Sequence, residues 1–88
     1  MTVLVRMSAS GMTTESYDEV SSHLTPLVEA APGFVAHVAF VTDGDFHVSE
    51  LWASKADFEN WFENNVKPNV PGVTVDSVQD AHNVILKK

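Results

Sequence analysis

The chain has 88 residues and no cysteine, is 44% apolar and 19% charged, and carries five Lys/Arg against 12 Asp/Glu, a net charge of −7. A chain of that length holds one domain with a core of marginal size, which favours oligomerisation, and its apolar share argues against disorder. The negative charge argues against nucleic acid and anionic membrane surfaces as partners, because both call for Lys/Arg, and the missing thiols exclude disulfides, thiolate nucleophiles and thiolate metal ligands. No apolar run nears the ~18 residues that a membrane span needs. No charged stretch followed by an apolar one opens the sequence, so no leader is expected and the cytoplasm is the expected location.

Residues 3–7, "VLVRM", are short, apolar and β-branched, and read as a first strand. Residues 8–12 contain Gly11 and read as a loop, after which Thr13 or Thr14 offers an N-cap and Glu15 falls in the first helical turn. Tyr17, Val20, Leu24, Leu27 and Val28 recur at steps of three and four, one apolar stripe of a helix. Pro26 interrupts that stripe and is expected to kink the helix or shorten it to about Leu24. Pro32-Gly33 marks the next turn.

Residues 34–42 and 46–53 alternate apolar and polar side chains on either side of Asp43-Gly44-Asp45, a strong hairpin signal. Ser54 is placed to cap a second helix, with Asp57 three residues on as a weaker capping-box partner. Phe58, Trp61 and Phe62 follow at i, i+3 and i+4, Val66 lies about a turn further, and Pro68 closes the helix. Residues 73–86 read as a last strand, whole or broken near Asp80. The order β-α-β-β-α-β is the ferredoxin-like arrangement, an α+β fold with a four-stranded antiparallel sheet and both helices on one face.

Strand residues two apart share a face. That rule puts Phe46, Val48, Glu50 and Trp52 in one row, expected to face the helices. It puts Phe34, Ala36, Val38 and Phe40 in another row, and Val35, His37, Ala39 and Val41 in the row opposite it. Both rows of the second strand are largely apolar, so a cover on each side is expected: helices on one and a second subunit on the other. Glu50 interrupts an apolar row, and a carboxylate there needs a partner. Arg6, the only arginine, is one candidate.

In "PGFVAHVA" at 32–39, "HVSELWASKADFENWFENNVKP" at 47–68 and "AHNVI" at 81–85, the chain resembles the antibiotic biosynthesis monooxygenase-like proteins of the dimeric α+β barrel superfamily. The likeness covers nearly the whole chain, and its most typical element is Glu-x-Trp followed by Ser and an amphipathic helix. It implies a homodimer with sheets packed face to face, and a small-molecule pocket between sheet and helices in each subunit. It also implies one of several activities: oxidation of aromatic polyketides without metal or flavin, haem degradation, cyclisation or isomerisation. Trp52 stands at the position where a Trp lines the site in haem-degrading relatives. Those relatives carry a His in the next helix and several monooxygenases carry an Asn near the end of the first strand; "KADFENWFENN" and "RMSAS" have neither.

The candidate acid–base groups are therefore His82, His37 and Glu50, and the candidate apolar walls are Trp52, Phe46, Tyr17 and Trp61. Each has a plainer reading. His37 and His82 read first as hydrogen-bonded core or interface residues and the aromatic residues first as core, while Glu50 reads equally as an ion-pair partner. A bulge near Asp80 would decide which way His82 points. His23 and His47 read as solvated or rim residues, and four His without helical i, i+4 spacing make no metal site. No glycine-rich phosphate loop appears. The expected function is a cofactor-independent enzyme, an oxygenase, cyclase or isomerase, acting on an aromatic or polyketide-like ligand. The alternative is a non-catalytic dimer that binds a small molecule or a protein.

Overall fold

A computed structural model describes residues 1–88. The elements are β1 (Val3–Ala9), α1 (Thr14–Glu29), β2 (Phe34–Thr42), β3 (Asp45–Trp52), α2 (Lys55–Trp61), a π-helical turn (Phe62–Val66) and β4 (Val73–Asp80). The strands lie in the order β2-β3-β1-β4 with every neighbouring pair antiparallel, which is the expected ferredoxin-like sheet. No helix is long and apolar enough to cross a membrane.

Local chemistry accounts for the boundaries. Thr13 Oγ1 accepts from the Ser16 N–H at 3.1 Å and Ser16 Oγ accepts from the Thr13 N–H at 3.0 Å, a reciprocal cap that starts α1. The helix then runs through Pro26 to Glu29 rather than stopping near Leu24. Pro26 is exposed, so the carbonyl it leaves without a donor faces water, while Leu24 and Val28 on either side pack toward the core. In the hairpin Asp43 and Gly44 both have positive φ, 53° and 80°, the type I′ geometry that suits a two-residue connection between twisted strands. Gly33, at φ 82°, is required twice over, because a Cβ there would also overlap the Asp57 carboxylate.

Two register slips depart from simple alternation. In β2, Phe34 lies opposite Trp52, Ala36 opposite Leu51 and His37 opposite Glu50, so Val35 is an extra residue. Phe34 and His37, three apart, consequently share the helix-covered face, whereas strict parity separates them. In β4, Ser77 pairs with Arg6 and Val75 with Met7, and the slip at Asp76 gathers Val73, Val75 and Val78 against the core. The irregularity thus falls four residues before the expected break at Asp80. Strand β4 ends at Asp80, and Val84, Ile85 and Leu86 are exposed beyond it rather than continuing the strand.

Val3, Val5, Met7, Trp52, Phe58, Trp61, Val66 and Val70 form the core on the helix side. Trp52 is its centre, with no exposed surface and with the rings of Phe34, Phe58 and Trp61 at 5.5, 6.1 and 6.2 Å. Helix α1, by contrast, buries no residue fully. The opposite sheet face has no helix over it, and Val38 (59% exposed) and Phe40 (38%) stand on it in the open. In urea denaturation Phe58→Ala is expected to destabilise the domain by about 3–5 kcal/mol through cavity formation. Leu27→Ala, on the exposed side of α1, is expected to change it by about 0.5 kcal/mol or less.

Candidate functional site

Because α1 stands off the sheet, its inward stripe encloses a cavity of about 490 Å³ instead of closing the core. Tyr17, Val20, Leu24 and Val28 form the roof, Met7, Phe46 and Val48 the floor, and Trp61, Val66 and Val70 one end. Exposed Thr25 and Glu29 border it. Trp61 and Val66 reach it together because the chain between them is π-helical. In an α-helix, residues five apart point about 140° away from each other, and the wider π turn brings them onto one side.

One line of hydrogen bonds runs from the core to this cavity. The Trp52 indole N–H donates to Glu50 Oε1 at 2.9 Å, Glu50 Oε2 meets His37 Nδ1 at 2.6 Å, and His37 Nε2 meets the Tyr17 hydroxyl at 2.7 Å. Glu50 is only 4% exposed, and these two partners satisfy both of its oxygens, so no buried side-chain polar atom is left unpaired. Arg6 is not its partner: it is exposed and faces the other way, across from Ser49. The Tyr17 ring stacks on Phe46 with centroids 4.9 Å apart and planes 13° from parallel, which fixes where the hydroxyl points.

Burial raises the Tyr17 pKa above the ordinary 10.0; a hydrogen bond from Ser21 offsets this in part, and the charges of Glu50 and Asp18 add to the rise. The phenol therefore keeps its proton throughout the neutral range and acts as a neutral O–H.

The structure brings together on the cavity five of the seven residues expected from the sequence: Tyr17, Phe46, His37 and Glu50, with Trp61 as an end wall. Trp52 is not a wall. It lies behind the cavity, where its ring packs on the lining rings of Phe34 and Trp61 and its N–H donates to Glu50. His82 is not at this cavity either: it is exposed past the end of β4, bordering a shallow depression with Leu4, Leu51 and Ile85 on another part of the surface. It stays out because the bulge expected to turn it inward occurs at Asp76 and the strand has ended before it. Asn83 borders the same depression. His47 stacks on Phe40 at 5.6 Å, and His23 is exposed on α1. No three His, Asp or Glu side chains are grouped to hold a metal.

The His37–Glu50 contact had a signal in the sequence. A two-residue turn at Asp43-Gly44 pairs Thr42 with Asp45, and counting back along the hairpin places His37 opposite Glu50. The part played by Ser21 and Met12 in the cavity follows only from the helix standing off the sheet and has no local signal.

Among solved structures the chain is similar to SnoaB, a cofactor-independent oxygenase from Streptomyces nogalater, with a TM-score of 0.68 over 98% of this chain and 97% of that one at 14% identity. An asparagine-to-alanine variant of SnoaB superposes over the same shares with a TM-score of 0.65. The likeness at this identity is one of fold. No protein-family model and no curated protein sequence matches the chain.

Tyr17 is the only tyrosine, so tyrosinate absorbance reports it alone. Its titration is expected to lie above pH 10.0, the ordinary value, and to move down in Glu50→Gln. Since the folded pKa is raised, the stability linked to this group is fully present below the unfolded pKa and falls as pH rises through the folded one. A parallel loss of denaturation free energy on the alkaline side is expected in wild type and absent in Tyr17→Phe.

Proposed function

We propose that the protein is a cofactor-independent enzyme of the small-molecule oxygenase type, acting on an aromatic or polyketide-like ligand held in the cavity. The observation that carries this reading is the Tyr17–His37–Glu50 line ending at an otherwise apolar space of about 490 Å³, a volume within the range of small-molecule sites. The SnoaB fold supports it.

In this reading a flat ligand lies against Tyr17 and Phe46. His37 draws a proton from it through the Tyr17 hydroxyl, and Glu50 steadies the imidazolium that forms. The Trp52 N–H holds Glu50 in place. Deprotonation makes the ring electron-rich, so the ligand itself supplies electrons to dioxygen. One oxygen atom enters the ligand, replacing two hydrogens, and the other leaves with those hydrogens as water. The apolar walls favour both ligand and dioxygen and keep bulk water away.

An oxygen electrode tests this with a panel of hydroxynaphthalenes and hydroxyanthracenes. Oxygen uptake is expected to match the loss of one probe, and His37→Ala is expected to lower the rate by about 10²- to 10⁴-fold while ligand affinity, read by calorimetry, stays nearly constant. Probe conversion without oxygen uptake would point to a cyclase or isomerase built on the same proton path. Binding without conversion would point to the non-catalytic alternative.

The functional unit in this proposal is a homodimer, with the second copy on the open sheet face. Exposed Val38 and Phe40 on that face support it, as does the small size of the chain. Sedimentation equilibrium is expected to give a dimer, and Val38→Glu to raise its dissociation constant at least about tenfold by burying a charge without a partner.

A further inference from the structure

We infer that the cavity accepts its ligand by taking a hydrogen bond from it, so that it selects a phenolic or enolic O–H over the corresponding ether or ketone. The inference deepens the reading above and rests on the cavity being a ligand site.

With Glu50 ionised and His37 neutral, the direction of every hydrogen bond in the line follows from its buried end. An indole N–H only donates, so Glu50 Oε1 accepts from Trp52. An ionised carboxylate only accepts, so Oε2 takes the proton that His37 carries on Nδ1. A neutral imidazole protonated at Nδ1 presents a lone pair at Nε2, so the Tyr17 hydroxyl spends its one proton there. What Tyr17 offers the cavity is therefore an oxygen lone pair.

Apart from the Trp61 indole N–H at the end wall, the other polar side chains on the wall offer no spare proton. The Ser8 hydroxyl donates to Asp76 at 3.2 Å. Thr25 donates to the Ser21 carbonyl at 2.7 Å, and Ser21, 3.1 Å from the Thr25 oxygen, has its proton shared between that oxygen and Tyr17. Glu29 is an acceptor at the border. Beside Tyr17 a ketone or ether oxygen finds apolar walls and lone pairs, and loses its hydrogen bonds to water without replacement. A hydroxyl finds the Tyr17 oxygen.

The same geometry reverses once the proton moves. The ligand O–H bond breaks and its proton goes to the Tyr17 oxygen. The original Tyr17 proton passes to His37 Nε2, and the ligand is left as an oxyanion. Tyr17 now donates to that oxyanion, and His37, protonated on both nitrogens, faces the Glu50 carboxylate. The net charge is unchanged, the ligand's negative charge being matched by the positive charge that appears on His37. The group that received the substrate becomes the donor that stabilises its anion.

Calorimetry with α-naphthol, α-methoxynaphthalene and α-tetralone tests this on the wild-type chain. The naphthol is expected to bind at least about tenfold more tightly than the ether or the ketone, the usual consequence of an unanswered buried polar group. In Tyr17→Phe the three are expected to converge to within about threefold. Nitrogen NMR of the imidazole, at a pH where His37 is neutral, is expected to show the proton on Nδ1. Equal or tighter binding of the ether or ketone overturns the inference and leaves the cavity as a ligand site, as does a proton on Nε2. Failure of all three probes to bind overturns the ligand site and the inference with it. The wild-type series and the NMR decide the matter even if Tyr17→Phe does not fold.

Discussion

A carboxylate buried in a small apolar core is the constraint on which this structure turns. Left alone, Glu50 would oppose folding by several kcal/mol. Two donors from opposite directions answer it: the Trp52 indole behind it on its own strand, and the His37 imidazole across the hairpin. Meeting that demand fixes the imidazole's orientation, and the imidazole in turn holds the Tyr17 hydroxyl at the mouth of the only large space under α1. Stability and chemistry are thus coupled through one side chain. The central core residue, Trp52, is also the far end of the hydrogen-bonded line, so the hydrophobic centre and the polar line share an anchor.

The helices divide the work unequally. Helix α2 and the turn after it pack Phe58, Trp61 and Val66 into the sheet and make most of the core with β1 and Trp52. Helix α1 packs loosely, buries nothing fully and leaves room for a guest. A domain of this size has few apolar contacts to give up, and the space under α1 is where it gives them up. A ligand bound there would complete the packing that the chain lacks, so occupancy and stability are linked by mass action.

Much of this was legible in the residues. The alternating runs around Asp43-Gly44 and the capped helical stripes yield the element order, and the order yields the sheet. His37, Glu50, Tyr17 and Phe46 stand out as reactive or bulky groups in otherwise regular patterns, and they do meet. What strict alternation hides is the extra residue at Val35, which places Phe34 and His37 on one face, and the slip at Asp76, which leaves His82 outside. A bulge is decided by packing across strands and has no compositional mark as clear as Asp-Gly in a turn. Pro26 misleads for a related reason: its effect depends on whether the freed carbonyl faces water, which the helix's orientation on the sheet determines. Trp52 reads as a wall because a large aromatic in Glu-x-Trp invites that role, and only the geometry shows its ring facing the core while its nitrogen faces the carboxylate.

The π-helical turn at Phe62–Val66 gives the end wall of the cavity a tolerance of changes in chain length. Trp61 and Val66 share that wall because one residue more than an α-helical turn separates them. Removing a single residue there would restore ordinary winding and leave the two side chains four apart, still on one face of the helix, so the turn can take up or release one residue without disturbing any strand. A lineage of such domains can therefore gain or lose one codon in this turn and keep both side chains in the same wall.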